Sequence, residues 1–76
     1  MKDLVELIIK SLVDNVEAIQ IKEIPGEKTV IFEVKIAEED VGKVIGKHGK
    51  TINAIRTILK AATTKDNKKV ILEVIQ

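Results

Sequence analysis

Cysteine, tryptophan and tyrosine are absent from this 76-residue chain, and Phe32 is its single aromatic residue. Without cysteine there is no disulfide framework and no thiolate metal site, a composition that suits a reducing compartment. With one aromatic ring, the core has to be built from Ile, Val, Leu and Ala, and no aromatic platform is available for stacking a flat ligand. Histidine is almost as scarce, since His48 stands alone. A metal site needs three or four ligands and a general base needs a partner to orient it, and no second His or suitable carboxylate pair accompanies His48. The chain therefore reads as non-enzymatic, with no catalytic residue, metal or cofactor. Long apolar runs are missing too. Met1-Lys2-Asp3-Leu4 leads directly into an amphipathic pattern that carries charge throughout, unlike a signal peptide or a membrane span, so a soluble, cytoplasmic protein is expected.

What is present is aliphatic and charged. A chain this short buries only about 60–65% of its extended surface, which allows one core and a single domain over 1–76. The net charge of +1 gives no hint of a polyanionic partner, but its distribution does. Residues 1–40 hold five lysines against ten acidic residues, whereas 41–76 hold seven lysines and Arg56 against only Asp66 and Glu73. Such a split creates a local positive field on a nearly neutral molecule.

The periodicities lay out the elements. Asp3 followed by Glu6 reads as a capped helix start, and Val5, Ile8, Ile9, Leu12 and Val16 recur at helical spacing, so a first helix is predicted to end near Asp14-Asn15. Ile19 and Ile21 alternate with polar residues up to the turn Pro25-Gly26, and Val30, Phe32, Val34 and Ile36 alternate after it, which predicts a β-hairpin. The acidic run Glu38-Glu39-Asp40 suits the first turn of a short helix reaching about Ile45. A longer helix is predicted from about Lys50 to Ala62, then a polar connection over 63–68, then a last strand from Lys69 to Ile75. The order is α-β-β-α-α-β, an α+β fold.

Between the two later helices lies Ile45-Gly46-Lys47-His48-Gly49-Lys50-Thr51-Ile52. Two glycines allow a tight reversal and close approach of another backbone, and amides opening the following helix are expected to point unpaired N–H groups outward. Lys47 and Lys50 add full charges, and His48 at the tip can donate to a phosphate, so the segment reads as a clamp for a sugar-phosphate backbone. Gly49-Lys50-Thr51 also mimics the end of a nucleotide-binding P-loop. That motif needs a glycine five residues before Gly49, where Val44 stands, and a strand ahead of the loop instead of a helix.

Val44-Ile45-Gly46-Lys47-His48-Gly49-Lys50-Thr51-Ile52, set in the α-β-β-α-α-β order, resembles the KH domain in its prokaryotic, type II arrangement. The run Glu39 to Lys50 with Ala54-Ile55-Arg56-Thr57 is similar to the bacterial KhpA-type stand-alone KH proteins. The resemblance implies a three-stranded sheet with helices packed on one face. It also implies single-stranded RNA bound in a groove between the central helices, the glycine loop, the last strand and the loop before that strand. Self-association and pairing with a larger KH-containing protein are implied as well, as is work as an RNA chaperone or post-transcriptional regulator.

The candidate RNA-binding residues are Gly42, Lys43, Gly46, Lys47, His48, Gly49, Lys50, Asn53, Arg56, Lys65, Lys68 and Lys69. Gly42 has two readings, a groove floor left open for a base or a small residue where two helices pack closely. Lys65, Lys68 and Lys69 read equally as groove contacts or as ordinary exposed lysines. Without aromatic stacking, which contributes about 1–3 kcal/mol per base elsewhere, a single copy is expected to bind weakly and tolerantly. On the long helix, Ile52, Ile55, Leu59 and Ala62 form the stripe expected to face the sheet, while Ala54, Ile58 and Ala61 extend the apolar arc round one side, a candidate homodimer seam. The alternative function is a protein-interaction adaptor whose RNA clamp is vestigial.

Overall fold

The computed structural model describes residues 2–62 and 68–75. Helix α1 covers Lys2–Leu12, and a turn of 3-10 helix at Val16–Ala18 leads into strand β1, Gln20–Pro25. Strand β2 covers Thr29–Lys35, and a second 3-10 turn, Glu38–Asp40, opens helix α2, Val41–Ile45. Lys47–Gly49 form a third short turn before helix α3, Lys50–Ala62, and strand β3 covers Lys69–Ile75. The strand order is β1-β2-β3, with β1 and β2 antiparallel and β2 and β3 parallel. The parallel pair requires a crossover, and α2 with α3 supplies it. This is the α+β arrangement with three strands and three helices that the periodicities predict.

Alternation along the strands divides the sheet into two faces. Phe32, Val34 and Leu72 are fully buried on the helix side, where they meet Val5 and Ile9 of α1, Val44 of α2, and Ile52, Ile55 and Leu59 of α3. Burying a side chain of this size contributes about 1.5–3 kcal/mol, so this cluster dominates the stability of so small a domain. Phe32 is itself part of the core and alanine is not: Ala54, Ala61 and Ala62 are exposed, and the core is Val, Ile, Leu and one Phe.

The first helix departs from its expected bounds. Asp3 lies inside it rather than capping it, and Glu6 pairs with Lys10 at 3.1 Å instead of closing a capping box. The helix stops at Leu12 because the amides of Asp14 and Asn15, which a longer helix would bond to its own carbonyls, donate to the carboxylate of Asp40 at 3.2 and 3.0 Å. Val16 consequently leaves the helical stripe and is 43% exposed. Strand β1 begins at Gln20, and Pro25 is tolerated at its end because β1 is an edge strand.

Candidate nucleic-acid interface

The loop between α2 and α3 is set by backbone dihedrals that side chains resist. Gly46 has φ 78° and ψ 169°, a region that is essentially glycine-only. A Cβ on Gly46 would stand 2.6 Å from the Cβ of Thr51 and 2.7 Å from its backbone nitrogen, so the loop folds onto the start of α3 only because position 46 is bare. Gly49 is left-handed as well, at φ 75°, but a Cβ there would meet nothing nearer than Asn53 Nδ2 at 3.8 Å. His48 between them is also left-handed, at φ 56° and ψ 26°. Histidine is among the few side chains enriched in that region.

Part of the expected anion cradle is spent internally. The Gly46 amide donates to the Gly42 carbonyl at 2.9 Å, the Gly49 amide to Gly46 at 3.1 Å, and the Lys50 amide to Lys47. Positive charge at the tip is therefore carried mainly by the exposed side chains of Lys47 and Lys50, with His48 beside them as an exposed hydrogen-bond donor.

Along α3, Asn53 and Arg56 share a face directed toward β3. Arg56 Nη2 donates to the Leu72 carbonyl at 3.1 Å, and Nη1 donates to Asn53 Oδ1 at 3.3 Å. This fixes the side of α3 that borders the sheet edge. On α2, a Cβ added at Gly42 would find no atom within 4 Å, so the space is open and Gly42 is not a close-packing contact between helices.

The candidate lysines separate. Lys43 Nζ is held between Asp14 and Asp40, with Asp40 Oδ1 at 3.3 Å, so its charge is matched within the protein. Its ammonium is held above the ordinary lysine value, first by the bond to Asp14 and then by the bond to Asp40, against a partial loss of hydration. Strand alternation places Lys69 with Ile71 and Glu73 on the sheet face away from the helices. Lys68 is half-buried just before β3, and Lys65 lies outside the described residues.

Asp40 is the residue that sequence reasoning misplaced. An acid in a first helical turn suggests a dipole contact in solvent, yet its side chain is fully buried and accepts from Asn15, Asp14 and Lys43. The Asn15 amide chiefly holds its pKa below the ordinary carboxylate value, burial opposes this, and Asp14 and Lys43 reinforce it. The only signal in the sequence was an acid three residues before Lys43. Its partners at 14 and 15 are too distant in the chain to be read.

A helix, a tight two-glycine loop and a second helix are thus inserted between the parallel strands β2 and β3. The sequence profile "KhpA/KhpB, KH domain" matches residues 2–74. The chain belongs to the KhpA/KhpB KH-domain family. It is 55% identical over 75 residues to the RNA-binding protein KhpA of Clostridium perfringens, covering 99% of this chain and all of the relative. It is 49% identical to the protein of the same name from Chlamydia caviae, covering 100% of this chain and 97% of the other, and 47% identical to that of Aquifex aeolicus, covering 100% and 96%. No solved structure matches significantly. Family membership sets aside the P-loop reading, and this KH domain is not an enzyme. No helix among the described residues is long and apolar enough to cross a membrane.

Proposed function

We propose that this KH domain binds single-stranded RNA, holding about four nucleotides with the sugar-phosphate backbone against Gly46 to Lys50 and the bases along the side of α3 that carries Asn53 and Arg56. The observation that carries the reading is the loop itself: Gly46 brings the backbone down onto Thr51, and the turn presents Lys47 and His48 at an exposed tip. The names of the relatives, RNA-binding proteins of nearly equal length, support it. The open space at Gly42 suits a base edge approaching α2. In the cytoplasm such a module would act as an RNA chaperone or post-transcriptional regulator.

A single site without aromatic stacking is weak, and pairing with a second copy or with a larger KH-containing protein would raise avidity. Ile58 is 49% exposed, and Ala54 and Ala61 beside it are exposed too. At 100° per residue Ile58 stands about 160° round α3 from Arg56, so a seam there leaves the proposed groove clear. The same exposed Ile58 favours the second reading, an assembly adaptor with a vestigial clamp.

One titration separates the two readings. The substitutions Lys47→Asp with His48→Asp should abolish binding to single-stranded RNA while changing stability by no more than about 0.5 kcal/mol, because both side chains are exposed and aspartate tolerates the left-handed backbone of residue 48. For the parent, three or four neutralised phosphates predict a slope of roughly −2 to −3 in log K against log salt. A folded double variant that binds as well as the parent, or a flat salt profile, would support the adaptor.

A further inference from the structure

The face of the sheet turned away from the helices carries an ordered pattern that the RNA reading does not use. Register sets Ile24 beside Ile31 and Ile31 beside Ile71, so three isoleucines form one row across all three strands. None of the three belongs to the core or packs against it, and Ile24 is 37% exposed. The row on one side of it is Lys22, Glu33 and Glu73, and the row on the other side begins with Thr29 and Lys69.

We propose that this face is a second self-association surface, on which the sheet of another copy stacks about a two-fold axis running along the isoleucine row. Aligned sheets pack about 10 Å apart with side chains interdigitating, so each row meets the row related to it by the axis. An axis through Ile31 and perpendicular to the strands lays Ile24, Ile31 and Ile71 on their own counterparts. It also lays Glu73 on Lys69 of the second copy and Lys69 on Glu73, twice by symmetry, with Glu33 opposite Thr29. No like charges face each other among these positions. The alternative axis, parallel to the strands, would set Lys22 on Glu73 twice but would also set Glu33 on Glu33 and Lys35 on Lys35, whereas the first has no like-charge contact among these positions, so the charges favour the first.

Three strands of about seven residues present a footprint of roughly 14 by 23 Å. That is below a standard interface, so the association is weak and concentration-dependent. This surface is distinct from the Ile58 seam and lies on the opposite side of the sheet from the helices. Two isologous contacts on separate faces would link copies into open chains at high local concentration instead of stopping at a dimer.

Sedimentation equilibrium up to about 1 mM tests the proposal in an Ile58→Asp background, which removes the helix seam from the measurement. That variant should still self-associate. Adding Glu73→Lys places lysine against Lys69 of the second copy and should weaken association about tenfold or more, and Lys69→Glu with Glu73→Lys together should restore it to within about threefold. The same charge series in the parent, read as species larger than a dimer, serves if Ile58→Asp disturbs folding. A folded Ile58→Asp chain that stays monomeric at about 1 mM, or a single and a double charge variant that behave alike, overturns it. Neither result bears on RNA binding at the glycine loop.

Discussion

Replacing Gly46 and Gly49 one at a time with alanine should give unequal losses, although the two glycines look equivalent in the motif. At Gly49 only the backbone objects: its φ of 75° costs an L-residue about 1–2 kcal/mol, partly offset by about 0.4–1 kcal/mol from a stiffer unfolded chain, and the nearest atom to the new methyl is 3.8 Å away. Gly46 carries two penalties. Its dihedrals lie where non-glycine residues cost about 1–3 kcal/mol, and a Cβ would sit 2.7 Å from the Thr51 nitrogen, a backbone atom at the start of α3 that cannot rotate away, adding about 1–3 kcal/mol of overpacking. The sum, about 1–5.6 kcal/mol once the same unfolded-chain offset is taken off, is a large share of the 4–11 kcal/mol or so that a domain of this length possesses. With an m-value of about 1 kcal/mol/M for so small a chain, Gly46→Ala should lower the urea midpoint by about 1–5.6 M, and Gly49→Ala by about 1.6 M or less, with the Gly46 loss the larger by about 1–3 M of added overpacking. Both should weaken RNA binding, so stability is the discriminating readout. Equal midpoints, or a larger loss at Gly49, would refute the assignment of the close contact to Gly46 and Thr51.

Gly42→Ala should leave the fold intact or stabilise it by up to about 1 kcal/mol, because alanine is the better helix former and no atom opposes the methyl, while RNA affinity falls as the floor of the groove fills. Unchanged affinity would remove Gly42 from the site. The depressed pKa of Asp40 means that its contribution to stability is present above the unfolded carboxylate value of 3.8 and is lost as pH falls from there through the folded value. Urea midpoints of the parent should therefore drop on the acid side more steeply than those of Asp40→Asn, and identical acid limbs would contradict the buried bonding of Asp40. Ile58→Asp should yield a folded monomer where the parent sediments as a dimer at tens of micromolar, with RNA affinity reduced by the lost avidity. A parent already monomeric sinks the seam, and an unfolded variant would show that Ile58 supports the core.

Segments whose pattern is set by neighbours in the chain were legible. The alternation of Phe32, Val34 and Ile36, the stripe Ile52, Ile55 and Leu59, and the glycine pair all act through contacts a few residues apart, and strands, helix and loop stand where those patterns predict. What escaped depends on groups brought together from far along the chain. The end of α1 is fixed by a carboxylate 25 and 26 residues away, and no local rule could have shortened the helix to Leu12. Gly42 had two readings because a missing side chain signals close packing and open space equally well, and only the surrounding atoms decide between them.

The same distinction bears on the charge asymmetry that first suggested a polyanion. Counted along the sequence, the basic half offers seven lysines and Arg56, and eight phosphate contacts would give a salt slope near −5 or −6. Folding divides that set. Lys43 is matched by Asp14 and Asp40, and Lys69 lies on the far face of the sheet opposite Glu73 in the proposed stacking. The proposed function puts Lys47, Lys50 and Arg56 against the RNA, with His48 as a donor, and Arg56 is already bonded to the Leu72 carbonyl of β3. A slope of roughly −2 to −3 is what that smaller group can supply, so the salt dependence of binding measures how many of the basic residues the fold places on the RNA side.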